Sequence, residues 1–278
     1  MSEIGTVVAL WRYPVKSMMG EELNAAEVGA RGLAGDRGYA LLDRADGKVA
    51  SAKNPRKWPR LFDFRAALAN SGAPPEVLVT LPDGALVRSS QPDAGAILSR
   101  ALGREVDLSA TPPSEPALEE YWPDLDGLAY RETVTDERIA MGTPGAAFFD
   151  SAPIHLLTTA TLEALQSHHV TGRWEARRFR PNFVIQTGQS GFVENDWVGR
   201  VVRLGGQVRL QVTNPCPRCV MTTLAQGDLP QDAGVLRTIV QHNRVLVPVA
   251  GQALPSVGVY ATVLSGGVVR RGDAVAVE

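Results

Sequence analysis

Glycine and proline break this chain into short pieces, and the pieces between the breaks are β-prone. The 278 residues include 27 Gly and 19 Pro. Thr6 to Trp11, Tyr39 to Asp43, Phe64 to Ala69 and Val77 to Leu81 read as strands in the first third. Phe183 to Gln186, Val201 to Leu204, Val208 to Val212 and Val257 to Val263 read the same way later, with clean alternation over Gln207 to Val212. Asp46-Gly47 and Asp83-Gly84 are hairpin-type turn dipeptides. Helical patterns are few. One follows Asp93, with Ala96, Ile97 and Leu102 on its apolar side; one covers Thr159 to His168, with Leu162 and Leu165 inward; Asp232 caps a third carrying Leu236, Ile239 and Val240. The expected fold is therefore mainly β with a few helices (α+β), closed or nearly closed, and not a parallel βαβ sheet.

The length is near twice that of a common single domain, which allows one large core or two modest ones. From about Asp107 to Asp126 the pattern loses periodicity, and Thr111-Pro-Pro-Ser-Glu-Pro reads as a connection between domains or a surface excursion. A formal charge of −2 speaks against coating nucleic acid or an anionic membrane. The first residues lack the basic flank and apolar stretch of a signal peptide, and no apolar run nears the roughly 20 residues that span a bilayer. A cytoplasmic, reducing compartment is the expectation. No G-x-G-x-x-G or P-loop string is present.

The two cysteines, Cys216 and Cys219, form Cys216-Pro-Arg-Cys219. Two are too few for a disulfide scaffold or a four-cysteine cluster. Four readings stand at this point. The pair is half of a zinc site, although His155, His168, His169 and His242 show no matching H-x₃₋₅-H spacing. It is a redox pair, although Val220-Met-Thr-Thr-Leu reads as a strand and not as a helix start. One cysteine is a thiolate ligand or nucleophile whose pKa Arg218 lowers. Or both are small buried apolar residues.

Basic residues recur at turns and strand ends. Lys16-Ser17 follow the first strand, Asp36-Arg37 follow the turn Gly32-Leu-Ala-Gly35, and Arg177-Arg-Phe-Arg-Pro-Asn182 leads into a strand. Such groups converge well on a phosphate or similar oxyanion, with backbone N–H groups completing the cradle. Asp150-Ser151 suits a turn or cap, or a polar contact to a ligand. His155, between Ile154 and Leu156, reads as a buried and satisfied histidine before it reads as an acid or base.

Taken in order, Tyr13-Pro-Val-Lys-Ser17, Gly35-Asp-Arg37, Arg178-Phe-Arg-Pro-Asn182, Cys216-Pro-Arg-Cys219 with Met-Thr-Thr beyond it, and Gly258-Val-Tyr-Ala with Gly272-Asp273 resemble the MOSC family. The resemblance covers nearly the whole chain and is to the group with an N-terminal β-barrel extension, which contains the mitochondrial amidoxime-reducing component and its bacterial relatives. It implies an N-terminal β-barrel-like domain over residues 1–110, a connection over 111–133 and a MOSC β-barrel domain over 134–278. It also implies a molybdenum cofactor, with molybdenum held by the pterin dithiolene and by one protein cysteine, which matches Cys219. Cys216 falls where the family is looser. Lys16, Ser17 and Arg37 match positions that hold the cofactor's phosphate and pterin; Arg180 and Asn182 match pterin contacts; Ser151 and Arg218 match further cofactor contacts.

The activity so implied is molybdenum-dependent reduction of N-hydroxylated substrates: hydroxylamines, amidoximes or N-hydroxylated base analogues. Two other roles fit the same resemblance, a sulfur carrier using a persulfide on Cys219 and a cofactor-binding protein without turnover. No cysteines for a [2Fe–2S] cluster occur in the chain. Electrons are therefore expected from a separate donor protein, a ferredoxin, a flavodoxin or a b-type cytochrome system. After Thr223 the segment Leu-Ala-Gln-Gly-Asp-Leu-Pro departs from the V-D-P-D-T-G of the mitochondrial enzymes, so their substrate range does not carry over.

Overall fold

The computed structural model describes residues 3–69, 75–139 and 147–278. Seven strands close into a barrel. Ile154–Thr158 lies beside Phe183–Thr187, followed by Glu3–Arg12, Ala274–Val277, Val201–Leu204, Val208–Pro217 and Gln252–Ser265, which pairs back onto Ile154–Thr158. Closure leaves no free sheet edge on the ring. Alternate residues point inward, so Val208, Leu210 and Val212 are buried while Arg209 is exposed. Val7, Leu10, Leu156, Phe183, Ile185, Val202 and Val259 share the apolar interior with them. The one parallel step, Ile154–Thr158 to Phe183–Thr187, follows a helical crossover, as parallel neighbours require.

A second apolar cluster lies under shorter sheets. Arg65–Leu68, Val77–Thr80 and Leu86–Arg88 form a meander, and Ala40–Asp43 pairs with Val106–Ser109. Helix α1, Ala94–Leu102, covers it. Met18, Leu41, Trp58, Phe64, Val79 and Leu98 fill this core, with Met221 added from the far end of the chain. The two clusters do not divide at one point in the sequence. Strand Glu3–Arg12 belongs to the barrel, although it precedes the residues of the second core.

Helices α2, Thr159–His168, and α3, Ala233–His242, fall where the sequence places them. Thr158 caps α2 by accepting from the Thr161 N–H, and Asp232 caps α3 by accepting from the Gly234 N–H. Helix α1 starts after Asp93, but that side chain makes no cap bond, and the buried face runs through Ala94 and Leu98 while Ala96 is exposed. Two readings change. The aperiodic stretch holds Ala117–Trp122, which pairs in full register with Thr133–Arg138 as a hairpin. Val220–Thr223 is one turn of 3-10 helix where a strand is expected. The Thr222 and Thr223 hydroxyls explain this, since they donate back to the carbonyls of Cys219 and Val220, at 3.0 and 2.7 Å. No described helix is long and apolar enough to cross a membrane.

Candidate functional site

Where the barrel meets the second core there is a cavity of about 360 Å³. All eight residues singled out from the sequence line it: Lys16, Ser17, Arg37, Ser151, Arg180, Asn182, Arg218 and Cys219. They arrive from separate segments. Lys16 and Ser17 sit in the loop leaving strand Glu3–Arg12, Arg180 and Asn182 precede strand Phe183–Thr187, and Arg218 and Cys219 leave strand Val208–Pro217.

The backbone is strained at this place. Among the described residues four non-glycine positions adopt left-handed φ, and three of them are Ser17 (63°), Arg37 (47°) and Arg180 (56°). Side-chain-bearing residues avoid that region at a cost of order 1–3 kcal/mol each. Surrounding bonds hold them there. The Arg37 N–H donates to the Tyr13 carbonyl at 2.8 Å, and Arg180 Nη1 donates to the Met18 carbonyl at 2.6 Å.

Asp36 is the hub beneath the cavity. It pairs with Arg37 and accepts from the Tyr13 N–H at 2.7 Å and from Asn182 Nδ2 at 3.0 Å. The amide oxygen of Asn182 in turn accepts from the His155 N–H at 3.0 Å, so its orientation is fixed from both ends. Lys16 donates to the Phe148 carbonyl at 2.9 Å and to Asp150 at 2.5 Å. Burial favours the protonated form of Asp150, but Lys16 and then Lys53 outweigh it and hold the carboxyl well below the usual range. Burial lowers the Lys16 ammonium, with Asp150 opposing. It also lowers Arg180, to about 10, and the neighbouring Arg37 charge adds to this. Five cations line the cavity, Lys16, Arg37, Lys53, Arg180 and Arg218, against three carboxylates, Glu120, Glu137 and Asp150. The near-neutral chain therefore concentrates positive charge where an anion fits.

The two cysteines part company. Cys219 lines the cavity and is partly exposed; Cys216 is fully buried and does not line it. Arg218 Nη1 donates to Cys216 Sγ at 2.8 Å. Burial raises the Cys216 pKa, yet Arg218 and then His155 more than reverse this and bring it down to about 6. Cys219 goes the other way: burial, then Glu120, pushes it up to about 11. Among the described residues no group of three or more His, Cys, Asp and Glu could hold a metal ion. Any metal at Cys219 must then bring most of its ligands with it.

Lys53, Glu120, Ser51 and Tyr260 also line the cavity, and the sequence gives them no role. Lys53 pairs with Glu120 at 3.0 Å and approaches Asp150 at 3.7 Å. Glu120 comes from the hairpin strand Ala117–Trp122, inside the stretch that reads as a connection, and neither a motif nor a periodicity marks it. His155 is buried, with Nε2 3.1 Å from the Val257 carbonyl, as a satisfied histidine should be. A Cβ at Gly258 would lie 2.2 Å from His155 Nε2, which explains a glycine there.

The cavity offers unused partners to the phosphate-bearing pterin that the resemblance implies. The buried Arg218 Nε and Asn214 Oδ1 have no hydrogen-bond partner, and both residues line the cavity. One unused donor and one unused acceptor beside a cationic floor and a lone thiol match such a heterocycle. The residues present fit the group.

Residues 4–113 match the family model of the MOSC N-terminal beta barrel domain, and residues 143–276 match that of the MOSC domain. Mitochondrial amidoxime reducing component 2 of Macaca fascicularis is 28% identical over 244 residues, covering 81% of this chain and 68% of that protein. The same component of Rattus norvegicus is 27% identical over 298 residues, covering 99% and 84%. Mitochondrial amidoxime-reducing component 1 of Xenopus laevis is 27% identical over 292 residues, covering 99% and 82%.

Proposed function

Because this chain belongs to the MOSC domain family, with the MOSC N-terminal beta barrel domain ahead of the MOSC domain, we propose that it is a molybdenum-cofactor-dependent reductase of N-hydroxylated compounds. The observation that carries this is the split between the cysteines: of the two, only Cys219 faces the cationic cavity. Relatives named for amidoxime reduction span most of the chain and supply the substrate class.

In this reading Cys219 is the protein ligand to molybdenum. A soft thiolate suits that metal, and metal binding displaces the proton that burial otherwise keeps on sulfur. Lys16, Arg37 and Arg180 neutralise the cofactor's phosphate, while Ser17, Ser151 and Asn182 offer hydrogen bonds. Arg218 bridges the buried Cys216 and the cavity. When bound, the cofactor supplies the two-electron chemistry that takes oxygen from the substrate. The chain orients the cofactor through a strained, pre-set cradle. A separate electron-donor protein completes the system.

A persulfide carrier on Cys219 would be loaded by attack of its thiolate, which burial and Glu120 disfavour by pushing the thiol up to about 11. Metal and pterin analysis decides the matter. Protein made in a cofactor-competent host should carry about one molybdenum and one pterin per chain, and Cys219→Ser should lose the metal and nearly all reduction of benzamidoxime or hydroxylamine. Native protein free of both, with Cys219→Ser still active, would end the proposal.

A further inference from the structure

Arg180 poses a problem that its neighbours solve in an unusual way. Its guanidinium is buried, and among the described residues no carboxylate lies within ion-pair distance of it. Asp36, the buried acid beside it, is committed to Arg37. Arg37 itself is a like charge close by, second only to burial in destabilising the Arg180 cation. An unpaired buried cation is expected to leave, to lose its proton or to find a counter-charge.

Besides the Met18 carbonyl, which accepts from Nη1, and the Phe62 ring at 5.8 Å, what it meets most closely is the ring of Tyr13. The Arg180 guanidinium carbon lies 4.2 Å from the ring centroid, and that of Arg37 lies 4.6 Å from the same centroid. The ring is 2% exposed, and its hydroxyl has no hydrogen-bond partner. Arg37 Nη2 donates to the Arg180 carbonyl at 3.1 Å, which ties the two residues together, and both hold left-handed φ. The electron-rich face of an aromatic ring attracts cations, most strongly where water is excluded.

We propose that Tyr13 is a positioning residue whose ring, not its hydroxyl, stands in for a counter-ion and holds Arg37 and Arg180 as a paired clamp for a phosphate monoester. The clamp deepens the cofactor reading given above and rests on it for the molecule that bears the phosphate. Two guanidiniums and the Lys16 ammonium converge from three segments. That arrangement suits a tetrahedral dianion better than a flat monoanionic carboxylate. Asp36 balances Arg37 and the ring makes Arg180 tolerable beside it while the anion is absent, so the clamp is ready before the ligand arrives.

The test uses the full chain made without cofactor, with inorganic phosphate as the probe, by calorimetry at low salt. Tyr13→Phe keeps the ring and should bind phosphate within about twofold of the unaltered chain; Tyr13→Leu should bind about tenfold or more weakly. Replacing residue 13 by phenylalanines of rising fluorine content changes the ring's charge with little change of shape, and affinity should fall stepwise along the series. This series keeps the test decisive if Tyr13→Leu fails to fold. A flat fluorine series, a Tyr13→Phe as weak as Tyr13→Leu, or no phosphate binding by the unaltered chain each overturns the clamp. Absence of molybdenum and pterin from native protein would remove the cofactor reading and leave a positive fluorine series standing. A flat series beside full cofactor content would do the reverse.

Discussion

At the scale of single residues, the step from Cys216, at the end of strand Val208–Pro217, to Cys219 shifts two thiols in opposite directions. Arg218 and then His155 outweigh burial and pull Cys216 down to about 6; burial, then Glu120, pushes Cys219 up to about 11 although Lys53 and Arg218 oppose it. Only the second is open to reagents. Alkylation of cofactor-free protein should therefore mark Cys219, at a rate that keeps climbing about tenfold per pH unit beyond the range where an ordinary thiol, with a pKa near about 8.5, levels off. Peptide mass spectrometry of iodoacetamide-treated samples reads this directly. A plateau near pH 9, or modification concentrated on Cys216, would contradict the assignment. The basic residues of the cavity are legible in sequence because Lys16, Arg37 and Arg180 sit beside turn residues, where a solvated charge and a convergent one look alike until their neighbours are counted. The positive φ of Arg37 and Arg180 is not legible, since it goes with bonds to the Tyr13 and Met18 carbonyls, 24 and 162 positions away. Lys53 and Glu120 escape notice for a similar reason: their pairing spans 67 positions.

At the scale of elements, caps and periodicity make α2 and α3 readable, but the support under α2 comes from elsewhere. Glu194, on the 3-10 turn Val193–Trp197, is buried and accepts from the Thr158 and Thr161 hydroxyls at 2.6 and 2.7 Å. Burial raises its pKa, with the two threonines opposing. An acid whose pKa rises on folding stabilises the fold fully below its unfolded value, near about 4.3, and loses that contribution as pH climbs through its folded value. Glu194→Gln keeps an acceptor oxygen without the charge. Its stability relative to the unaltered chain should therefore improve between pH 4 and pH 7, as measured by urea unfolding at several pH values. A pH-independent difference would show that the carboxyl stays ionised at no cost. The hairpin Ala117–Trp122 with Thr133–Arg138 marks the limit of pattern reading. Its inner face carries Leu118 and Glu120, one apolar and one charged, so the alternation that identifies other strands is broken by a residue placed for the cavity.

At the scale of the whole molecule, the barrel is closed by a strand from the other end of the chain. Glu3–Arg12 lies between Phe183–Thr187 and Ala274–Val277 and hydrogen-bonds to both. Val7 and Leu10, fully buried in the barrel interior, come from it. A fragment of residues 143–278, although it spans the whole MOSC match, would have two open edges and lack five buried side chains of that core, Val7, Leu10, Ala26, Val28 and Leu33. Deleting one such apolar side chain from a packed core already costs about 2–5 kcal/mol, against a total stability of about 5–15 kcal/mol. The fragment should therefore be largely unfolded or aggregated alone, and adding a peptide of residues 1–29 should restore structure, because that peptide carries the missing strand with Ala25–Gly29, which pairs with Gly267–Arg270. Circular dichroism and thermal melts of the fragment with and without peptide read the outcome. A fragment that melts cooperatively by itself would show that the ring closes without its first strand, and that the residues holding the cavity's two sides together act only through the cavity. The same strand leads into Tyr13, Lys16 and Ser17, so the peptide that completes the barrel also delivers one wall of the site. Fold closure then brings Lys16 and Ser17 to Arg180, Asn182 and Arg218, while Arg37, Ser51, Lys53 and Glu120 come from residues 30–142. An anion that grips Lys16 should raise the peptide's affinity for the fragment, and Lys16→Ala in the peptide should abolish that gain without preventing docking.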